Sequence, residues 1–245
     1  MIRQSASGAV YVLQGMKLLL KPGVRLYVIL PLLTNFLLFS LFIWLGIDYF
    51  DSLMDNYIPE LPEWLQWLQW IIWLLFIASF LLIGFYTCLL IANLIAAPFN
   101  GMLAEAVERH LVPGASQSSA GWLAIIKEII PALLAEVRKT WYFCIRAIPL
   151  LILFVIPGLN VIAPVIWIIF SAWLLALEYA DYPMSNHGIL FDELRIKLKE
   201  KRLIAISFGS TVMLLTIIPV INFLAMPAAV AGATVMYIKE WKNNN

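Results

Sequence analysis

Lys21-Pro22-Gly23-Val24-Arg25 is a stretch whose residue types suggest chemistry. Pro22 and Gly23 are expected to open a helix. The first amides of such a helix, with a guanidinium that forks onto two oxygens, suit a tetrahedral oxyanion. The same spacing also suits plain anchoring, with Lys21 and Arg25 snorkelling to lipid headgroups. Two further stretches, Ile156-Pro157-Gly158-Leu159-Asn160 and Ile218-Pro219-Val220-Ile221-Asn222, interrupt apolar runs. Proline lacks the amide hydrogen of a helix interior, while Gly and Asn tolerate turn angles, so each run reads as helix, turn, helix. The returning helices are expected to begin near Asn160 and Asn222 at their N-caps. There, half-helix amides either face an anion or simply receive a cap. Gly158, Asn160 and Asn222 are pore-lining candidates on the first of these readings.

Two polar groups lie outside the apolar runs. Glu105 and Arg109 follow Pro98-Phe99-Asn100-Gly101 and fall one helical turn apart, where they line a vestibule or form a solvated surface pair. Glu178, Asp181, Tyr182, Asn186 and His187 form another cluster, open to ion handling or to buried loop contacts. Cys88 and Cys144 lack CxxC spacing or a neighbouring His, so they read as packing residues and no metal site or cofactor is expected. No Walker loop, HExxH, GxSxG or dinucleotide fingerprint is present, which argues against an enzyme.

These residues need elements to hold them, and the composition says which. The chain of 245 residues is 63% hydrophobic and 13% charged, against about 45–50% and about 25% in a soluble domain. The expected fold class is therefore an all-α integral membrane protein forming one membrane domain over residues 1–245. Its net charge of +1 is segregated along the chain, and nucleic acid is not an expected partner.

Full spans are expected at about 26–47 and 64–97, each long enough for a hydrocarbon core of about 30 Å. The second run exceeds that need, so its helix should tilt or continue as an amphipathic segment, with Pro98, Asn100 and Gly101 marking a break. Trp64, Trp67, Trp70 and Trp73 suit an interfacial belt. Hairpins are expected at about 147–177 and 203–238. Their outgoing arms, 147–156 and 203–218, reach only roughly 15 to 24 Å at the helical rise, so the hairpins read as partly inserted, or re-entrant. Ile156 to Ala163 and Ile218 to Ala225 resemble one another, which points to a duplicated hairpin. Phe191 to Leu203 alternates basic and apolar residues, as an interfacial amphipathic helix facing anionic lipid does.

Lys and Arg collect on cytoplasmic loops. Arg3, Lys17, Lys21 and Arg25 precede the first span, and the connection from Asp48 to Glu63 carries only acidic charges. That places the N-terminus inside. Hairpins that return to their starting side keep every later basic stretch inside as well.

At this point the sequence resembles the CysZ sulfate-permease family. The resemblance is carried by Pro22-Gly23-Val24-Arg25 leading into Ile29-Leu30-Pro31-Leu32 and by Ile95-Ala96-Ala97-Pro98-Phe99-Asn100-Gly101 with Leu103-Ala104-Glu105. It continues through the Ile156–Asn160 turn, Phe170-Ser171-Ala172-Trp173, and Asp181-Tyr182-Pro183 with Asn186-His187. It implies a multi-pass bacterial inner-membrane protein that takes up sulfate for cysteine biosynthesis, with two long spans, two partly inserted hairpins and homo-oligomeric assembly in membrane lipid. It maps sulfate binding onto Gly23, Val24 and Arg25. Many members carry a second Arg after the first, where this chain has Leu26, which shifts more of the binding onto backbone amides. The family also implies insertion in both orientations, against the one-sided charge bias. A channel or facilitator is the leading reading. A non-transporting scaffold that binds a partner through the basic helix around Arg195 to Arg202 is the rival, and a lipid-modifying enzyme a distant third.

Overall fold

In a computed structural model, the chain is described over residues 7–57, 62–112 and 122–242. Arg3 and residues 58–61 of the acidic connection lie outside the described residues. Eight α-helices are described: α1 (Gly8–Leu19), α2 (Leu26–Tyr57), α3 (Gln66–Leu111), α4 (Trp122–Val155), α5 (Ala163–Ser185), α6 (Phe191–Glu200), α7 (Arg202–Ile217) and α8 (Pro219–Glu240). No strand occurs among the described residues. The all-α class follows from the sequence, since backbone groups in hydrocarbon must be satisfied within each segment.

Four segments are long and apolar enough to cross a membrane: Leu26–Gly46, Gln66–Ile91, Ala163–Ser185 and Ile221–Glu240. The first two are the expected spans. The other two are the returning arms of the hairpins, whereas α7, the outgoing arm of the second, has only 16 residues. The breaks fall where the prolines put them: α4 stops at Val155, just before Ile156-Pro157, and α7 stops at Ile217.

The two turns differ in detail despite their similar sequences. At the first, Gly158 has φ +86° and a single 3-10 turn over Leu159–Val161 precedes α5. At the second, α8 starts directly at Pro219, which suits a first helical position because its fixed φ is already helical. Val220, the counterpart of Gly158, is already inside α8, so the tight left-handed turn is not repeated.

Two expectations about breaks and caps are corrected. α3 does not break at Pro98, Asn100 or Gly101; it runs on for 46 residues to Leu111. A proline removes only one helical hydrogen bond, and Asn100 and Gly101 are held by side chains of α5, α8 and the turn after α5, described below. Nor do Asn160 and Asn222 cap the returning helices. Their N-cap positions are Ile162 and Ile218, neither with a side-chain capping bond. Asn160 lies in the 3-10 turn, and Asn222 already donates its amide to the Ile218 carbonyl at 2.8 Å.

The described residues form two compact units, one of residues up to Val28 and from Asn100 onward, the other Ile29–Phe99. In the smaller unit, α2 and α3 pair through aromatic rings set against glycines. Phe42 stacks on Phe80 with centroids 5.4 Å apart, and Phe39 lies 5.8 Å from Phe85. A Cβ on Gly84 would overlap the Phe42 ring. Trp64, Trp67, Trp70 and Trp73 are all exposed, the disposition an interfacial belt requires.

The larger unit is a bundle in which α1 lies on α7 and α8, α5 lies on α7 and α8, and α4 and α6 flank α5. Helix α8 is its centre. Ala225, Ala228, Ala229, Ala231 and Ala233 are buried, and small faces of this kind let backbones approach closely where lipid offers no hydrophobic drive between helices. A Cβ on Gly15 of α1 would strike the Ala228 carbonyl and the Gly232 amide of α8, and one on Gly209 of α7 would strike the Ala172 carbonyl of α5. Gly209→Ala should therefore separate α5 from α7 and cost about 1–3 kcal/mol. Gly101→Ala, where the new Cβ would meet only Asn186 Oδ1 at 3.6 Å, should not destabilise. Thermal unfolding of both variants in detergent checks this; equal midpoints would contradict it.

Candidate functional site

The Lys21–Arg25 segment follows α1 directly and is a turn, not the start of a helix; α2 begins at Leu26. Gly23 has φ +85°, a conformation that favours glycine, and nothing lies within 4 Å of where its Cβ would stand. The Val24 and Arg25 amides donate to the Lys21 carbonyl at 3.1 and 3.2 Å. Both amides are thus committed to the turn, which corrects the expectation that they are the free amides of a first helical turn.

The side chains divide the work. Val24 is only 1% exposed and pins the turn to the bundle, while Lys21 and Arg25 are exposed. Leu26, in the place of a second Arg, is 55% exposed. The turn therefore presents two cations around an open glycine. Gly158, Asn160 and Asn222 are exposed at the tips of the hairpins.

On the helical extension of α3, Glu105 and Arg109 are half-buried, one turn apart. The more deeply placed acid there is Glu108, whose carboxylate lies 2.9 Å from His187 Nε2 and also accepts from the Lys242 ammonium. A carboxylate only accepts, so Nε2 carries the ring proton. The His187 ring packs on Tyr237, with centroids 5.1 Å apart. Close by in sequence, Asn186 Nδ2 donates to the Gly101 carbonyl at 2.9 Å, and Asn100 Nδ2 donates to the Tyr182 hydroxyl at 3.3 Å and faces Met226 Sδ at 3.9 Å. The string Asn100-Gly101 and the string Asp181 to His187, far apart in sequence, thus interlock.

A second ionic knot ties α4 to α5. The buried Lys139 ammonium lies 3.3 Å from Glu178 and 3.1 Å from Asp181, two carboxylates one turn apart on α5. At the foot of α8, Lys201 donates to the Glu240 carbonyl and carboxylate, both at 2.6 Å, and Tyr11 of α1 donates to the same carboxylate. The sequence marked Glu178, Asp181, Tyr182, Asn186 and His187 as a cluster but not Lys139, Glu108 or Lys242 as their partners. Only the three-residue spacing of Glu178 and Asp181, which shows a cation one helical face, hinted at a bridging Lys.

The basic segment proposed as a partner-binding helix is built into the bundle. Phe191, Leu194 and Leu198 are buried, and Lys197 pairs with Glu193 at 3.3 Å.

Among the described residues, eight α-helices, four of them holding segments fit to cross a bilayer, and the ionic knots that close the bundle define a multi-pass helical membrane protein. The chain matches the family described as "Sulfate transporter CysZ/Etoposide-induced protein 2.4" over residues 11–227. It is 45% identical to the sulfate transporter CysZ of Pseudomonas fluorescens, covering 96% of this chain and 94% of the relative. The sulfate transporters CysZ of Salmonella typhimurium, 42% identical, and of Pseudomonas aeruginosa, 41% identical, match 96% of this chain and 93% and 95% of their own lengths. The chain belongs to this family of sulfate transporters, and the resemblance read from its motifs stands.

Burial of Glu108 opposes its ionisation, but the hydrogen bonds and charges of Lys242 and His187 outweigh that and hold its carboxyl below the ordinary value of 4.5. Because the folded value is the lower one, the stability this group contributes is present above about pH 4.5 and is lost as pH falls through the folded value. Wild type should therefore melt above Glu108→Gln at neutral pH, with the gap closing below pH 4.5. A gap that does not change with pH would contradict this.

Proposed function

We propose that this chain takes up sulfate across the bacterial inner membrane as a channel or facilitator, supplying sulfate for cysteine biosynthesis. Membership of the family, with 45% identity to a sulfate transporter over 96% of the chain, is the observation that carries the reading. The reading is of a transporter, not an enzyme and not a passive scaffold.

The capture site is the Lys21–Arg25 turn. Gly23 gives the turn its shape and leaves space for the anion, Val24 anchors it, and the Arg25 guanidinium forks onto two sulfate oxygens, with Lys21 adding charge. Since the Val24 and Arg25 amides are already bonded to Lys21, the cationic side chains supply most of the attraction.

From there the anion passes the exposed hairpin tips at Gly158, Asn160 and Asn222, where the Asn160 and Asn222 side-chain amides replace water around sulfate without binding it tightly. Glu105 and Arg109 line the vestibule on the α3 extension. Non-helical backbone at membrane depth is tolerated where it meets protein or a water-filled cavity, which supports partly inserted hairpins lining a wet path. The chain works as one membrane domain within a homo-oligomer, surrounded by lipid, with its basic stretches on the cytoplasmic side.

Sulfate flux into liposomes containing the protein should exceed flux into empty vesicles, and equal flux would remove transport. Hydrogen bonds to a charged group are worth about 1.5–3 kcal/mol, so Arg25→Ala should weaken sulfate binding roughly tenfold to a hundredfold. An unchanged isotherm by calorimetry would return Arg25 to the role of a lipid anchor.

A further inference from the structure

Helix α4 enters its uncharged stretch immediately after Arg146, so Arg146 stands at the boundary between the polar and apolar parts of that helix. Its guanidinium carbon lies 3.8 Å from the centre of the Tyr142 ring, one turn earlier on α4. A second guanidinium, that of Arg195 on α6, lies 4.9 Å from the same ring. Two cations drawn from different helices are thus held at one aromatic ring.

The ring itself is immobilised. Tyr142 is 8% exposed and sits edge-on to Phe143 and Phe191, with centroids 5.8 and 5.4 Å away. Asp192 Oδ1 lies 3.8 Å from Arg195 Nη1, beyond hydrogen-bond reach, on a side chain that is 64% exposed. Arg195 Nε is buried without a hydrogen-bond partner among the described residues. Arg146 has no ion pair among the described residues. Elsewhere in this bundle a buried cation is matched with care, as Lys139 is by two carboxylates. At Tyr142 the Arg195 Nε and the exposed Arg146 guanidinium keep donor capacity that no described residue uses.

We propose that Arg146 and Arg195 form a binding site for the phosphate of an anionic phospholipid headgroup. Guanidiniums bind phosphate oxygens in a bidentate fork, and here two of them, from α4 and α6, lie within 5 Å of the centre of one ring. A lipid, as opposed to a free anion, is indicated by the surface next to the site. Trp141, Ile145 and Ile148 on the same helix are 68%, 47% and 57% exposed, an apolar strip for acyl chains beside the cations. An indole at the level of the headgroups and basic side chains at the start of an apolar run are the features of a membrane interface. Arg138, exposed one turn before Tyr142, adds positive charge on the same side of α4. The site is separate in sequence from the Lys21–Arg25 turn and does not depend on what that turn binds.

Native mass spectrometry of the full chain, delipidated and then offered phosphatidylglycerol or phosphatidylcholine, tests the site without reference to transport. Wild type should retain phosphatidylglycerol in clear preference to phosphatidylcholine. Arg146→Gln and Arg195→Gln should each lower that retention about fivefold to tenfold, and the double variant should abolish the preference. Arg146 is exposed and makes no ion pair among the described residues, so its Gln variant keeps the fold and remains a fair test if the Arg195 variant does not. Arg146→Lys, which keeps the charge but loses the fork, should retain an intermediate amount. Equal retention of the two lipids, or equal retention by wild type and Arg146→Gln, would overturn the proposal. So would displacement of bound phosphatidylglycerol by inorganic phosphate or sulfate, which would make this a subsite for a soluble oxyanion.

Discussion

Two helices in hydrocarbon gain little by covering each other's apolar surface, because lipid tails are as apolar as leucine. They hold together through the density of their contact and the few polar bonds between them. Helix α8 meets this constraint with a face of Ala225, Ala228, Ala229, Gly232 and Ala233, on which α1 settles through Gly15 and α5 and α7 also pack. The placing of the candidate capture site follows from that contact. Helix α1 ends at Leu19 and the chain passes at once into the Lys21–Arg25 turn, so whatever fixes α1 on α8 also fixes where Arg25 stands. A bulky residue at Gly15 or Gly232 would displace the Lys21–Arg25 turn from a distance, through position alone.

The ionic knots do for the polar end of the bundle what small residues do for the apolar part. Removing both carboxylates would strand the buried Lys139 charge, so Lys139 with the partly exposed Glu178 and Asp181 holds α4 and α5 in one register. Glu108, with His187 and Lys242, does the same for the end of α3, the turn after α5 and the end of α8. These groups are tied to one another and are not free to follow an ion.

The parts of this architecture that depend on local backbone chemistry were legible in the residues. Pro157 and Pro219 forced helix ends because a missing amide hydrogen and a clashing ring act within one turn, whatever surrounds them. The apolar runs announced the spans for the same local reason. Pro98 misled because its effect was overridden from outside: Asn186 and Tyr182, more than eighty residues away, hold Gly101 and Asn100 in a continuous helix. The caps at Asn160 and Asn222 failed because Pro219 claims the first position of its helix and a 3-10 turn delays the other. The motif at Gly23 to Arg25 was visible as a motif, but the turn that consumes two of its amides was not, since that depends on how α1 is delivered to it.

The central claim is that the hairpin tips meet water along a path that sulfate uses. Single cysteines at Asn160 and Asn222, in a chain with Cys88 and Cys144 replaced by Ser, can be exposed in proteoliposomes to a charged thiol reagent that does not cross the bilayer. The account predicts that both positions react and that sulfate slows the reaction, while an exposed mid-span position such as Ile83 on α3 does not react. Modification of Ile83→Cys at the same rate as the two tips, or no reaction at either tip, would contradict it.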